Sequence, residues 1–193
     1  MEIRRTGKNA VWIKGKKENV FINPSEDNLK LKKYQPTRIV MFTSEEYDFM
    51  GLDNSAVIIR GPGEYEVGGV EILGINGMKG YVYTVNVDGV TVGVMGEIDE
   101  PLSDKKIEKI GAMDVLLMEI NNSEKVNTKT KMDWAKKWGA NYVVPIGYEE
   151  GNSEFGEFLD AVDREDAQKV DSLKIDKLED LPEGMEVVIL EQQ

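Results

Sequence analysis

Four oxygen-bearing side chains, Ser44, Glu45, Glu46 and Asp48, fall close together in the stretch FTSEEYDFMG, Phe42 to Gly51. They follow RIVM, an apolar run that reads as a buried strand. They therefore occupy the loop past a strand's C-terminal end, a common place for sites in layered α/β folds. Carboxylates and hydroxyls so spaced suit a hard cation such as magnesium, calcium or manganese. What the chain lacks narrows the chemistry further. It contains no histidine and no cysteine. The usual zinc ligand sets cannot then be assembled, serine activated by histidine is excluded, and there is neither a thiol nucleophile nor a disulfide. A hydrolytic centre here would rest on oxygen ligands, with a carboxylate of raised pKa as general base.

The elements that must position these residues read in two blocks. IRRTG, NAVWIKG and ENVFINP are short strands separated by Gly, Lys and Asn turn signals. SEDNLKLKKYQPT is a polar connection with a helical turn, and RIVMFT and SAVIIRGP are further strands. EYEVGGVEILGI divides into two strand pieces at Gly68-Gly69. YVYTVNVDGVTVGVMG is a hairpin: Tyr81, Tyr83, Val85 and Val87 share a face, and Asp88-Gly89 forms the two-residue turn. From Ser103 the period changes. LSDKKIEKIGAMD reads as a helix with Ser103 at its N-cap. DVLLMEI is a strand, and TKTKMDWAKKWGAN is a helix with Met132, Ala135 and Trp138 on one stripe. NYVVPIG is a strand, SEFGEFLDAV an amphipathic helix, and MEVVILE a final strand after a linking stretch. Strands first, then strands alternating with helices, predict two packed sheets with helices outside.

Composition sets outer bounds. The 193 residues are 40% hydrophobic, enough for one sizeable core, so a single domain over 1–193 is expected. No apolar stretch reaches the ~20 residues that span a bilayer, and the start, MEIRRTGKNAVW, has no apolar region of the signal-peptide kind. A cytoplasmic protein without membrane contact is expected. The net charge of −12 is uneven: residues 1–40 hold 10 Lys/Arg against 4 Asp/Glu, a balance of +6, and the remainder 14 against 32, a balance of −18. Overall acidity, and the absence of dense basic runs with interleaved aromatics, argue against nucleic-acid binding.

Several stretches resemble the metallo-β-lactamase fold superfamily, above all the small prokaryotic MBL-fold metallo-hydrolases, Zn-dependent hydrolases of the β-lactamase-like fold. Gly7-Lys8-Asn9-Ala10-Val11 stands where that group has Gly-His-Ser-Ala-Phe, and Phe21-Ile22-Asn23-Pro24 where it has Leu-Ile-Asp-Pro. GPGEYEVGGVEILGI matches a stretch distinctive of the group. Met95-Gly96-Glu97, followed by Pro101-Leu102, matches its Gly-Asp strand end, and LKIDKLEDLPEGMEVVILE its C-terminus. The likeness runs through nearly the whole chain. It implies an α/β fold, an αββα sandwich of two packed mixed sheets with helices on the outer faces. It also implies a site at one edge, in loops after strands, where two metals activate a water.

Carried over residue by residue, the resemblance implies a site emptied of its ligands. The His-x-His-x-Asp-His motif falls on Ser44 to Phe49, so only Asp48 is kept, with Glu46 in place of one histidine and Ser44 and Phe49 in place of two others. A further histidine falls near Asn76-Gly77. The bridging aspartate becomes Glu97, the last histidine Gly147, and the histidine after the first glycine Lys8. A dinuclear zinc site is not expected. The main expectation is a non-catalytic binding, scaffold or regulatory protein, with an unknown protein partner or a second copy of itself. A hydrolase of phosphodiesters or related esters is the alternative. It would use Mg or Mn on Glu45, Glu46, Asp48 and Glu97. A third reading has Lys8, Asn9 and Ser44 donating to a small anion, or Lys8 simply balancing Glu46, Asp48 and Glu97.

Overall fold

The computed structural model describes residues 1–45, 56–162 and 167–193. The first block forms β1 (Glu2–Arg5), β2 (Val11–Lys14), β3 (Asn19–Ile22), α1 (Glu26–Lys30), β4 (Ile39–Phe42) and β5 (Val57–Arg60). A meander follows: β6 (Gly63–Val67), β7 (Val70–Asn76), β8 (Tyr81–Val87) and β9 (Val90–Met95). Helices and strands then alternate through α2 (Asp104–Ile110), β10 (Val115–Glu119), α3 (Thr128–Lys137), β11 (Tyr142–Ile146) and α4 (Ser153–Val162). The strands β12 (Gln168–Val170), β13 (Leu173–Lys174) and β14 (Glu186–Leu190) complete the fold.

The strands build two sheets, in the orders β13-β1-β2-β3-β4-β5 and β12-β14-β11-β10-β9-β8-β7-β6. Both are mixed. Neighbours from β1 to β3 and from β6 to β9 run antiparallel, whereas β3-β4-β5 and β9-β10-β11-β14 run parallel. The inner faces meet in one apolar layer: Ile3, Ile13, Ile22 and Met41 of the smaller sheet pack with Tyr83, Val85, Val94, Leu117 and Val144 of the larger. On the far side of the larger sheet, Val82, Met95, Leu116 and Val143 lie under Ile110, Met132, Trp134, Trp138 and Phe158 of α2, α3 and α4. On the far side of the smaller sheet, Trp12, Phe21, Val40 and Phe42 pack with Tyr34, from a 3-10 turn after α1. The result is the expected αββα sandwich. Each buried Val, Ile or Leu contributes about 1.5–3 kcal/mol, and the helix-covered face of the larger sheet buries more apolar side chains than the outer face of the smaller one.

Local chemistry explains most boundaries. Asp88 (φ 56°) and Gly89 (φ 86°) both lie left-handed, the I′ geometry that matches strand twist in a two-residue hairpin. Asn127 caps α3 by accepting from the Thr130 N–H at 3.0 Å. One expectation holds in position without its usual bond, and one differs. Ser103 stands at the N-cap of α2 but makes no side-chain cap bond; its carbonyl accepts from Lys106 and Ile107 instead. The linking stretch before the last strand contains β12 and β13, which complete the edge of one sheet each. Those strands are only three and two residues long, too short to show a period. No helix among the described residues is long and apolar enough to cross a membrane.

Candidate functional site

Parallel strands carry their C-terminal ends to the same rim, and that rim gathers the residues of interest. In the larger sheet Met118 pairs with Met95 and Glu119 with Ile146. Glu97, Glu119 and Gly147 thus follow or end three adjacent strands, β9, β10 and β11. In the smaller sheet β3 and β4 end together, and the Asn23 N–H donates to the Met41 carbonyl at 2.8 Å. Bonds between the sheets close this end. The Tyr81 N–H donates to the Thr43 carbonyl, and the Gly147 N–H to the Lys8 carbonyl, both at 2.8 Å. Asn23 donates to Thr43 Oγ1 at 2.9 Å and to the Asn9 carbonyl at 3.4 Å. Lys8, Asn9, Ser44, Glu97 and Gly147, far apart in sequence, therefore share one rim. Glu45 is exposed there and accepts from the Tyr81 hydroxyl at 2.8 Å. Glu46, Asp48 and Phe49 lie outside the described residues.

The charges at this rim are arranged differently from the sequence reading. Glu97 is paired by Lys79 rather than by Lys8, which is exposed. Glu119, which sequence reasoning passed over, sits behind them. Burial pushes its carboxyl up to about 7, the nearby Glu97 carboxylate pushes the same way, and Lys131, Lys8 and Lys79 oppose. Lys131 is 0% exposed and donates to the Glu119 carbonyl at 2.8 Å and to the Asn121 carbonyl. Burial pulls its ammonium down to about 8, against the attraction of Glu119, Glu97 and Glu154. Both residues left a signal. Glu119 is the lone charge in the apolar run VLLMEI, and Lys131 falls on the buried stripe of α3 beside Met132 and Ala135.

Gly147 and Glu119 approach closely at the rim. Gly147 is left-handed (φ 83°), and a Cβ built there would lie 2.5 Å from Glu119 Cγ and 3.2 Å from Oε1. The Glu119 side chain thus occupies the space that a side chain at 147 would need. Arg5, 1% exposed, ties the two loops together from below. It donates to the carbonyls of Lys8 and Tyr148, and its guanidinium lies 4.0 Å from the Tyr148 ring centroid. Tyr148 stacks in turn on Phe155, centroids 4.2 Å apart. Near Asn76-Gly77 there is a closed turn: the Gly77 N–H donates to Gly80, and Asn76 accepts from the Met78 N–H.

These residues do not fit the dinuclear zinc centre that the resemblance implies. The chain has no imidazole or thiolate. Position 147 offers no side chain, its space is taken by Glu119, and the Glu97 carboxylate is already paired with Lys79. Among the described residues no three Asp or Glu converge in a manner that could hold an ion. No metal-dependent step is assigned to this rim.

The Glu119 carboxyl makes stability depend on pH. In the unfolded chain it titrates at about 4.5, and in the fold at about 7. Between these values the folded state keeps a proton that the unfolded chain has released, so stability is fully present below the window and falls as pH rises through it. The melting temperature is expected to fall over that window, and Glu119→Gln, which cannot ionise, to flatten this part of the profile. Thermal melts of both proteins across pH 4.5 to about 7 check this.

Comparison with known proteins agrees with this fold. Residues 2–147 match the family model described as "Beta-lactamase superfamily domain". Among solved structures the chain is similar to a candidate Zn-dependent hydrolase of the metallo-β-lactamase superfamily from Thermotoga maritima. The two are 21% identical, with 100% of this chain and 99% of that one covered and a TM-score of 0.81. A candidate metal-dependent hydrolase from Parabacteroides distasonis is 13% identical over 99% of this chain and 93% of its own, TM-score 0.68. The metallo-β-lactamase fold protein YhfI from Bacillus subtilis is 12% identical over 99% and 96%, TM-score 0.64. At such identities these likenesses concern the fold. No curated protein sequence matches the chain. A sandwich of this topology, with its charged rim at the strand ends and a family match over most of its length, belongs to the β-lactamase superfamily and has the metallo-β-lactamase fold.

Proposed function

We propose that this chain is a non-catalytic member of its superfamily, a binding, scaffold or regulatory protein of the cytoplasm whose former metal pocket is rebuilt as an internal lysine–glutamate cluster. The supporting observation is the contact between Gly147 and Glu119: the position of the last expected histidine is bare, and a neighbouring carboxylate fills its space. Lys79 and Lys131 supply, from within the chain, the positive charge that metals supply in hydrolases of the fold. Metal analysis of the purified protein tests the reading. The expected result is no stoichiometric zinc, a melting temperature unchanged by chelator, and no hydrolysis of a phosphodiester with added zinc. Stoichiometric zinc that chelator removes, with a drop in melting temperature, would overturn it.

A second reading follows from Glu119 itself. A carboxyl titrating at about 7 beside Glu97 is suited to general-base chemistry near neutral pH. With Mg or Mn held by Glu97 together with Glu46 and Asp48, the chain would be a hydrolase of phosphodiesters or related esters. This reading requires manganese or magnesium to raise the melting temperature. It also requires a metal-dependent phosphodiesterase activity that is lost in Glu97→Ala and Glu119→Gln alike.

A further inference from the structure

Among the described residues the two sheets end in four edge strands, β13 and β5 in the smaller and β12 and β6 in the larger. An unpaired edge presents a row of N–H and C=O groups to any other strand, and charged side chains are the usual deterrent. β6 carries Glu64 and Glu66, β12 carries Lys169, and β13 carries Lys174. β5, Val57-Ile58-Ile59-Arg60, is different. Its one charge is Arg60, whose guanidinium lies over the Phe42 ring of its own sheet, 4.5 Å from the centroid. Val57 is 38% and Ile58 45% exposed, so two of the five large apolar side chains exposed among the described residues lie on this four-residue strand.

The direction of the backbone fixes how such an edge can pair. The Val57 N–H donates to the Arg38 carbonyl at 2.7 Å, toward the β4 side. Backbone groups of successive strand residues alternate sides, so the N–H and C=O of Ile58 and of Arg60 face the edge that no other described strand pairs. We infer that two copies of this chain pair antiparallel through β5, about a two-fold axis at Ile58, joining the smaller sheets into one. In this register Ile58 exchanges both its backbone bonds with the partner's Ile58. Val57 stands opposite the partner's Ile59, and Arg60 opposite the partner's Ala56. No like charges meet, and the exposed apolar side chains are brought side by side. The same operation on β6, centred on Tyr65, would set Glu64 against the partner's Glu66, a like-charge pair that opposes association. Self-pairing is therefore open to β5 and closed to β6. This inference stands apart from the reading of the rim.

Sedimentation velocity of the full chain over a concentration series tests it. The expected result is a monomer–dimer equilibrium. Ile58→Lys places two ammonium groups across the axis and should weaken the dimer by about tenfold or more. Its melting curve should stay near that of the wild type, because the side chain is exposed. A second variant exploits the absence of cysteine. In a hydrogen-bonded antiparallel pair the facing Cα atoms lie about 5.5 Å apart, within disulfide range. Ile58→Cys should then form a covalent dimer under mild oxidation, whereas Glu66→Cys, on the other edge, stays monomeric. A wild type that is monomeric at every concentration would overturn the inference. So would a dimer indifferent to Ile58→Lys, or equal cross-linking of the two cysteine variants.

Discussion

Lys131→Met should melt roughly 10 °C below the wild type, because it loses about 3 kcal/mol and a chain of this size shifts by about 2–4 °C for each. The ammonium is fully buried and donates to the carbonyls of Glu119 and Asn121, at the end of β10. Methionine matches its length and suits the buried stripe of α3, so the loss is polar. Two partly buried carbonyls each lose a charged donor, and Glu119 loses a buried cation that favours its charged form. Removing the ammonium also removes its desolvation cost, which keeps the loss below the sum of its bonds. Lys131→Gln retains one donor and should recover part of the stability. Thermal melts of the three proteins at one pH decide the matter. A methionine variant as stable as the wild type would show that the lysine is tolerated rather than needed.

Gly147→Ala is the second large effect, expected at about 2–3 kcal/mol from left-handed strain and a core clash together. The new methyl would fall 2.5 Å from Glu119 Cγ, so the Glu119 side chain must move outward. That movement gives a second readout. Once the carboxyl is better hydrated, its pKa returns toward the ordinary range, and the fall in stability between pH 4.5 and about 7 shrinks. The two residues should also be coupled. If Glu119→Ala clears the space, the double variant should be more stable than the sum of the single losses predicts, by more than about 1 kcal/mol. Strict additivity would break the link between the bare position 147 and the carboxylate beside it. The cycle thus asks whether a histidine could return to position 147 without first removing Glu119.

The framework was legible because its cues are local. Alternation in YVYTVNVDGVTVGVM gives two strands and Asp88-Gly89 their turn. The stripe of Met132, Ala135 and Trp138 gives a helix, and all three are buried as the spacing demands. The gathering of Lys8, Asn9, Ser44, Glu97 and Gly147 at one rim was legible through the resemblance, since each follows or precedes a recognisable strand. The partner of Glu97 was not, because any of several lysines satisfies a charge count and only the Gly77–Gly80 turn brings Lys79 to it. Glu119 escaped because one charge at a strand end looks like solvent-facing punctuation. Its meaning depends on Gly147, which follows the residue paired with it in the sheet and is remote in sequence. β12 and β13 escaped because their pairing is entirely long-range.

That last pairing bears on how the chain is made. β1 is flanked by β2 on one side and by β13 on the other, with Ile3 opposite Leu173. The strand that covers the outer edge of β1 leaves the ribosome about 170 residues after it. At typical synthesis rates this interval lasts on the order of ten to thirty seconds. Closing so long a loop also comes late on energetic grounds, since its entropy must be met before the contact returns anything. Until then, among the described strands, β1 as well as β5 lacks a neighbour on its outer side. The chain's most exposed moment is therefore timed by translation, and slowing its second half would lengthen the period in which a holdase, or another nascent copy, can capture it.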